Sequence, residues 1–198
     1  MFTLQHIWVA SGWVLYCTLH SLLANQKVKD AISLKMGNAF RFYRILYSIF
    51  AFATLAVLLL FEFSINGPSL LKPSLLLLLG GWLLIIPGFI LMAIVIRKYF
   101  FELSGIQVFF RKQPRPSKLE RGGLNRYSRH PLYLGTLMFA WGLLLLFPLM
   151  EHLIAVVVMN IYILVAMRWE EKKLVLEFGN EYKEYATAVP RLIPWKFK

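Results

Sequence analysis

Apolar residues along this chain gather in runs long enough to cross a lipid bilayer, and polar residues separate one run from the next. A transmembrane helix needs about 20 mostly apolar residues, because the hydrocarbon core is about 30 Å thick. Runs of this length are unusual in soluble domains. The pattern predicts an all-α integral membrane protein with about five transmembrane helices, at residues 4–24, 45–63, 74–96, 132–149 and 152–167.

Small residues and turns inside this pattern predict how the spans pack. Gly80-Gly81 in the third span favours close approach of another helix, and Pro87-Gly88 favours a kink. A short turn near residues 148–152 separates spans four and five, so they are expected to form a helical hairpin. A single membrane domain is predicted, with N-terminal helices followed by a functional core: 1–198, divided into 1–96 and 97–198.

The third loop and the tail are the longest segments outside the predicted spans. The loop, residues 97–130, contains prolines and a Gly-Gly pair, so it is expected to be irregular in part and functional. The tail is predicted to be helical to about Tyr185, with an interruption near Gly179. Its apolar and aromatic residues recur at helical spacing and predict one packed face: Leu174, Phe178, Tyr182 and Tyr185.

Basic residues give the chain a net charge of +12, and they are unevenly distributed. All but one of the 22 lysines and arginines lie in the first loop, the third loop or the tail, and the exception is Lys72. Five spans put these three segments on one side, which the positive-inside rule makes cytoplasmic. The charge therefore predicts an N-terminus outside, a cytoplasmic C-terminus, contact with membrane lipids and no nucleic-acid partner.

Polar side chains cluster where span four begins and where span five ends. A short hairpin would bring these two ends together at one depth, where inward-facing ionisable groups are commonly functional. Each residue also has a structural explanation, as a helix anchor, a helix N-terminal residue, an interfacial aromatic or part of a solvated face. The cluster consists of Arg129, His130, Tyr133, Arg168, Glu170 and Glu171.

Other chemical motifs are missing from the sequence. Cys17 is the single cysteine, so neither a disulfide nor a cysteine-based metal site can be built from it. The four histidines have no metal-ligand spacing, and no metal site is predicted. Nucleotide-binding glycine loops and a serine nucleophile elbow are also absent. The polar cluster therefore remains the candidate site.

The segments "RHPLYLG" and "RWEEKKLVLEFGNEYKEYATAVPRLIP" resemble the isoprenylcysteine carboxyl methyltransferase superfamily, whose members are membrane methyltransferases that use S-adenosyl-L-methionine. The resemblance covers about residues 117–195. Toward the N-terminus, "LHSLLANQKVKDA", "YRILYSIFA" and "FFELSGIQVFF" look like the NnrU and methanethiol S-methyltransferase branch. This resemblance implies a cofactor pocket capped by the third loop and the C-terminal helix.

The resemblance also implies roles for individual residues. Arg168 and Glu170 are the expected catalytic residues. Ser117, Asn125 and Ala166 depart from the pattern of the prenylcysteine enzymes, which argues against a prenylcysteine carboxylate as the substrate. The residues expected to bind the cofactor are Lys118, Leu119, Glu120, Asn125, His130, Pro131, Leu132, Tyr133 and Glu171.

The predicted function is transfer of a methyl group from S-adenosyl-L-methionine to a thiol or carboxylate of a small or lipid-like acceptor, in a prokaryotic inner membrane. Two alternatives share the same core, a non-catalytic accessory protein of the NnrU kind and an NADPH-dependent membrane reductase. A transporter is disfavoured, because the span interiors hold few ionisable residues and five spans do not divide into equal repeats. The acceptor and the oligomeric state stay open.

Overall fold

The computed structural model describes residues 4–109 and 118–193, except for the side chains of 101–103 and 107–108. Within these residues the regular structure is helical, and one isolated bridge joins Ser69 and Leu149. Short 3-10 helices occur at Gly37–Phe42, Ile106–Phe109 and Gly123–Arg126. The α-helices are α1 (Leu4–Ala24), α2 (Gln26–Met36), α3 (Tyr43–Ser64), α4 (Leu75–Ser104), α5 (Pro131–Leu146), α6 (Met150–Phe178) and α7 (Asn180–Ala188).

Four helical segments of the described chain are long and apolar enough to cross a membrane, which confirms the predicted all-α membrane fold. They are Leu4–Ala24, Gln26–Ser64, Leu75–Phe100 and Met150–Phe178. The predicted fourth span is instead the shorter apolar helix α5, which has 16 residues. At 1.5 Å per residue this helix is about 24 Å long, less than the hydrocarbon core of about 30 Å. A total of about five spans therefore stays a prediction.

Breaks between helices fall partly where the sequence predicts them. The tail helix is interrupted at Gly179, whose φ of 56° lies in the left-handed region that favours glycine. Residues 147–149 separate α5 from α6, as expected of a short turn. The distortion of α4 was predicted at Pro87-Gly88, whereas the residue with non-helical angles is Tyr99. The helix also continues to Ser104, beyond the predicted end of the span at residue 96.

The described residues form two compact units that take alternating stretches of the chain. The first contains residues 4–71, 99–109 and 149–159. The second contains residues 72–98, 118–148 and 160–193. The single-domain organisation over 1–198 concerns independent folding and stays a prediction.

The first unit combines an apolar core with buried acid–histidine contacts. Its core cluster includes Val9 and Trp13 of α1. Glu62 of α3 is 4% exposed and accepts a hydrogen bond from Trp13 Nε1 at 2.7 Å. The other carboxylate oxygen of Glu62 lies 2.6 Å from His152 Nδ1. Buried polar groups require partners of this kind, so these contacts join α1, α3 and α6 within the unit.

Glycines allow α4 and α5 to pack closely in the second unit. A Cβ atom on Gly135 would lie 2.8 Å from the carbonyl oxygen of Gly88. A Cβ atom on Gly142 would lie equally close to the carbonyl oxygen of Gly81. Small residues let membrane helices approach with their backbones, and the predicted role of Gly81 in helix approach is confirmed. This packing fixes α5, whose N-terminus carries the polar motif.

Candidate active site

Proline and the preceding loop set the position of the polar motif. Pro131 is the first residue of α5, where its fixed φ suits a helix start and its missing N–H is no loss. His130 is therefore the residue that precedes the helix, and it is 5% exposed. Ser128, also buried, accepts a hydrogen bond from the His130 N–H through its Oγ at 3.3 Å. The loop thus holds His130 at the N-terminus of α5.

Glu171 of α6 is the centre of the polar cluster. Its Oε1 lies 2.9 Å from Arg129 Nη1 and 3.2 Å from His130 Nε2. Its Oε2 accepts hydrogen bonds from Arg191 Nε at 3.0 Å and Arg191 Nη2 at 2.8 Å. Hydrogen bonds between charged groups are stronger than neutral ones, particularly when a guanidinium uses two nitrogens. Glu171 is 8% exposed. The side chains of Arg129, His130 and Arg191 therefore surround a buried carboxylate.

His130 lies between the two neighbouring glutamates. While its Nε2 faces Glu171, its Nδ1 lies 3.7 Å from Glu170 Oε2. The Glu170 side chain is 48% exposed, in contrast to 10% for the Glu171 side chain. The imidazole therefore has one carboxylate oxygen at hydrogen-bond distance, that of Glu171, and a second carboxylate nearby on its other side. Of the two glutamates, Glu170 is the more solvent-exposed.

The C-terminal segment is joined to the polar loop through its backbone. The N–H groups of Arg129 and His130 donate to the carbonyl oxygens of Pro190 and Arg191, at 2.9 and 3.1 Å. The Ser128 hydroxyl also donates to the Arg191 carbonyl, at 3.0 Å. Arg191 therefore contacts the loop through its backbone and α6 through its side chain.

Two tyrosines of α7 form hydrogen bonds to the loop that precedes α5. Tyr182 is 2% exposed, and its hydroxyl lies 3.4 Å from Arg129 Nη1. Burial raises the pKa of Tyr182, because the phenolate would lose solvation there. Tyr185 donates its hydroxyl hydrogen to the Asn125 carbonyl at 2.6 Å. Both rings pack against Leu119, which confirms the packed face predicted for the tail.

A cavity of about 1000 Å³ lies beside the cluster. Five of its lining residues are cationic and one is a carboxylate, so the lining strongly favours an anionic group. The Nε atom of Arg129 is buried and has no hydrogen-bond partner within the described residues. The lining residues are Arg129, Val165, Arg168, Trp169, Glu171, Lys172, Val175, Leu176, Tyr182, Lys183, Ala186 and Arg191.

Two of the predicted site residues, Arg168 and Glu171, line this cavity, whereas His130 and Glu170 are not among its lining residues. His130, Glu170 and Glu171 form one contact group, and Arg168 is exposed on the cavity lining. Pro131 starts α5, and the Tyr133 ring stacks on His130 with centroids 5.5 Å apart. Leu132 is half-buried on the same turn.

The predicted residues of the third loop lie apart from the cavity lining. Leu119 belongs to the aromatic core, and Asn125 contributes its backbone carbonyl to Tyr185. Lys118 is exposed. Glu120 is exposed and lies 3.2 Å from Lys98 Nζ. The Gly122 N–H and the Lys98 ammonium hold the pKa of Glu120 below its usual value. Ser117, the predicted departure, lies outside the described residues.

Two residues that contact the cluster, Arg191 and Tyr182, were not predicted from the sequence to belong to the site. Tyr182 was predicted only as part of a packed face, and Arg191 only as one of the tail cations. The available signal was the position of Arg191 inside the "VPRLIP" segment of the resembling pattern. The sequence does not reveal that this segment returns to the loop before α5, because that contact depends on the turn at Gly179.

The model of the phospholipid methyltransferase family matches residues 76–181, which is more than half of the chain. The chain belongs to this family. The matched region of the chain contains His130, Glu170 and Glu171, whereas Arg191 lies beyond its end at residue 181. Comparison with solved structures gives no match.

Relatives of this family member include proteins named methanethiol S-methyltransferase. The chain is 29% identical to methanethiol S-methyltransferase 1 of Bradyrhizobium diazoefficiens, over 92% of the chain and 64% of that protein. It is 39% identical to the protein of Crocosphaera subtropica, over 48% of the chain and 38% of that protein. The Mycobacterium tuberculosis protein is 34% identical, over 48% of the chain and 40% of that protein. These findings confirm the predicted superfamily and branch.

The chain spans between 38% and 64% of the length of these three relatives. The family assignment and the four membrane-length helices identify an integral membrane protein of the methyltransferase class. The donor, the acceptor and the activity of the chain are proposals.

Proposed function

We propose that this protein is an S-adenosyl-L-methionine-dependent methyltransferase whose acceptor is a small thiol. The observation that carries the proposal is the convergence of Arg129, His130 and Arg191 on Glu171 beside a large basic cavity. A buried charged cluster is costly to form, and such clusters beside cavities are candidates for functional sites. Most of this cluster falls within the family-matched region.

The cavity residues fit the amino-acid end of the methyl donor. The orphaned Nε of Arg129 requires an acceptor, and a carboxylate supplies one. Lys172 is a second cation on the lining that can bind the same group. Glu170 lies outside the lining, and its exposed carboxylate can accept a hydrogen bond from an ammonium group that extends beyond the cavity. Trp169, which is exposed on the lining, adds aromatic surface suited to a heterocyclic base.

The donor supplies an activated methyl group on a positively charged sulfur. Transfer of a methyl group is a displacement, so the protein's contribution is alignment of the reactants and exclusion of water. His130 and Glu171 are held by hydrogen bonds before any ligand arrives, which limits the reorganisation needed on binding. Arg168 and Glu170 are the residues that we expect to contact the reacting groups.

A thiol is the acceptor that the similarity to methanethiol S-methyltransferases supports. The thiolate is the nucleophilic form, and a neighbouring cation stabilises it. We assign this role to Arg168, an exposed cation on the cavity lining. A small carboxylate is the second candidate, since a guanidinium binds carboxylates through two nitrogens. The basic segments further support a cytoplasmic site, where a soluble donor would reach it.

Calorimetric titration of the detergent-purified protein with S-adenosyl-L-methionine, its demethylated product and NADPH tests the donor. We expect the first two to bind, with binding lost in His130→Ala and Glu170→Ala. Glu177→Ala, at an exposed position on the same helix, is the matched control and should bind normally. Binding of NADPH alone would favour a reductase, and binding of none by folded protein would favour an accessory role; either result contradicts the proposal.

A further inference from the structure

Arg191 is the point where three parts of the second unit meet. Its guanidinium contacts Glu171 of α6 through two nitrogens, and its carbonyl accepts hydrogen bonds from the His130 N–H and the Ser128 hydroxyl. The neighbouring Pro190 carbonyl accepts the Arg129 N–H. We name residues 189–193 the clasp. Pro190 and Arg191 of the clasp thus bind three consecutive loop residues, Ser128, Arg129 and His130.

The contacts of Glu171 depend on this residue. Arg129 and His130 contact the Oε1 atom of Glu171, which Arg191 Nε also reaches at 3.2 Å, whereas the hydrogen bonds to Oε2 in the described residues come from Arg191. A carboxylate held at one oxygen can rotate about its terminal torsion, which has a broad energy profile. Holding both oxygens removes that freedom. The geometry therefore links the orientation of His130 to a residue in the tail.

Exposure distinguishes Arg191 from the other groups on Glu171. Its side chain is 53% exposed, whereas the side chains of Arg129 and His130 are 11% and 3% exposed. An exposed ion pair contributes little to folding stability, because solvent screens it and side-chain entropy opposes it. We therefore expect the bidentate contact of Arg191 to contribute more to the orientation of the Glu171 carboxylate than to folding stability.

We infer that Arg191 is a positioning residue, which holds Glu171 and the loop before α5 so that Arg129 faces the cavity where the proposed methyl donor would bind. This inference rests on the proposed function. Arg191 acts through Glu171 and the loop, so removing it should weaken donor binding while leaving the fold intact. The position lies beyond the family-matched region, which ends at residue 181.

Three variants test the inference. Arg191→Ala removes the guanidinium, and Arg191→Lys keeps the charge without the two-nitrogen contact. Arg121→Ala is the matched control, because Arg121 forms an exposed pair with Glu181 at 2.8 Å within the same unit and is not part of the cavity lining. All three should show wild-type circular dichroism and a single species in size-exclusion chromatography.

Calorimetry with S-adenosyl-L-methionine is the first readout. We expect the dissociation constant to rise about tenfold or more in Arg191→Ala, because a small misplacement of binding groups has effects of this size or larger. Arg191→Lys should be affected in the same direction, and Arg121→Ala should match the wild type. Added guanidinium ion should restore part of the affinity in Arg191→Ala, since the site is exposed enough to admit it.

Hydrogen exchange without any ligand is the second readout. Release of the clasp should speed exchange in the peptide that contains the Arg129 and His130 amides in Arg191→Ala but not in Arg121→Ala. If the wild type binds the donor and folded Arg191→Ala binds it equally with unchanged exchange, the inference is wrong. Failure of the wild type itself to bind would instead refute the proposed function, so the two failures are distinguishable.

Discussion

Glu171 illustrates how one residue organises the candidate site. Sequence reasoning identified it, together with His130 and Glu170, because the paired glutamates and the Arg-His-Pro segment belong to a resembling pattern. It could not identify Arg191 as a partner, since twenty residues and a turn at left-handed Gly179 separate the two positions. Leu119 packs against tyrosines in the tail, and its predicted role in binding the cofactor stays a prediction. The sequence was sufficient to identify His130, Glu170 and Glu171 as candidate site residues. It was not sufficient to predict the hydrogen-bond partner of each side chain, because these partners are set by tertiary contacts.

Replacing Glu171 by glutamine should destabilise the protein. The variant leaves Arg129, with a side chain 11% exposed, beside a neutral amide, and an uncompensated buried charge costs about 3 kcal/mol or more. Thermal unfolding in detergent without ligand should show a clear loss. Glu177→Gln, on the exposed part of α6, should unfold like the wild type. Equal unfolding of both variants would mean that Glu171 is not held as described.

Glu120 gives a pH-dependent prediction. The Gly122 N–H and Lys98 lower its pKa in the folded state, so its contribution is fully present above the usual pKa and is lost as pH falls through the lowered value. Glu120→Gln should therefore be less stable than the wild type near neutral pH, and the difference should vanish in acid. Unfolding temperatures measured across this range provide the test. A difference that grows toward acid would contradict the assigned contacts.

The helices show which element boundaries a sequence can predict. Gly179 ends α6 as expected, because a glycine between two amphipathic segments permits the required positive φ. The break at Tyr99 was not foreseen, since Pro87 offered a stronger local signal. Helix α5 is also shorter than its predicted span, because the apolar run continues through residues that form the turn at 147–149. Composition therefore located the helices better than it located their ends.

Close packing of α4 against α5 should depend on individual glycines. Gly135→Ala would place a Cβ atom 2.8 Å from the Gly88 carbonyl oxygen, so the backbones would have to separate. Such overpacking costs about 1–3 kcal/mol. Gly80→Ala is the control, because its Cβ would meet Leu145 Cδ1 at an ordinary 3.5 Å. Thermal unfolding should separate the two variants, and equal stability would argue against this crossing.

At the scale of the whole molecule, the distribution of charge predicts orientation in the membrane. The helical fold was predictable because long apolar runs leave little choice of structure in lipid. The division into two interleaved units was not, since their boundaries at residues 98 and 159 fall inside helices α4 and α6. Nothing in the periodicity marks those points.

Orientation can be tested with single cysteines. In a Cys17→Ser background, which removes the buried native thiol, Lys118→Cys and Lys72→Cys each introduce one exposed position. An impermeant maleimide should label position 72 in intact spheroplasts and position 118 only in inverted vesicles, as the positive-inside rule requires. Labelling of both positions from the same side would refute the predicted orientation.

Methyl transfer to a small thiol is the measurement that tests the central claim most directly. The purified protein, reconstituted in lipid and supplied with S-adenosyl-L-methionine carrying a labelled methyl group, is offered methanethiol, a short-chain carboxylate or a phospholipid amine. We predict labelled dimethyl sulfide from methanethiol, with the product lost in Glu170→Gln and retained in Glu177→Gln. A folded, donor-binding protein that forms no labelled thioether would contradict the thiol-methyltransferase account.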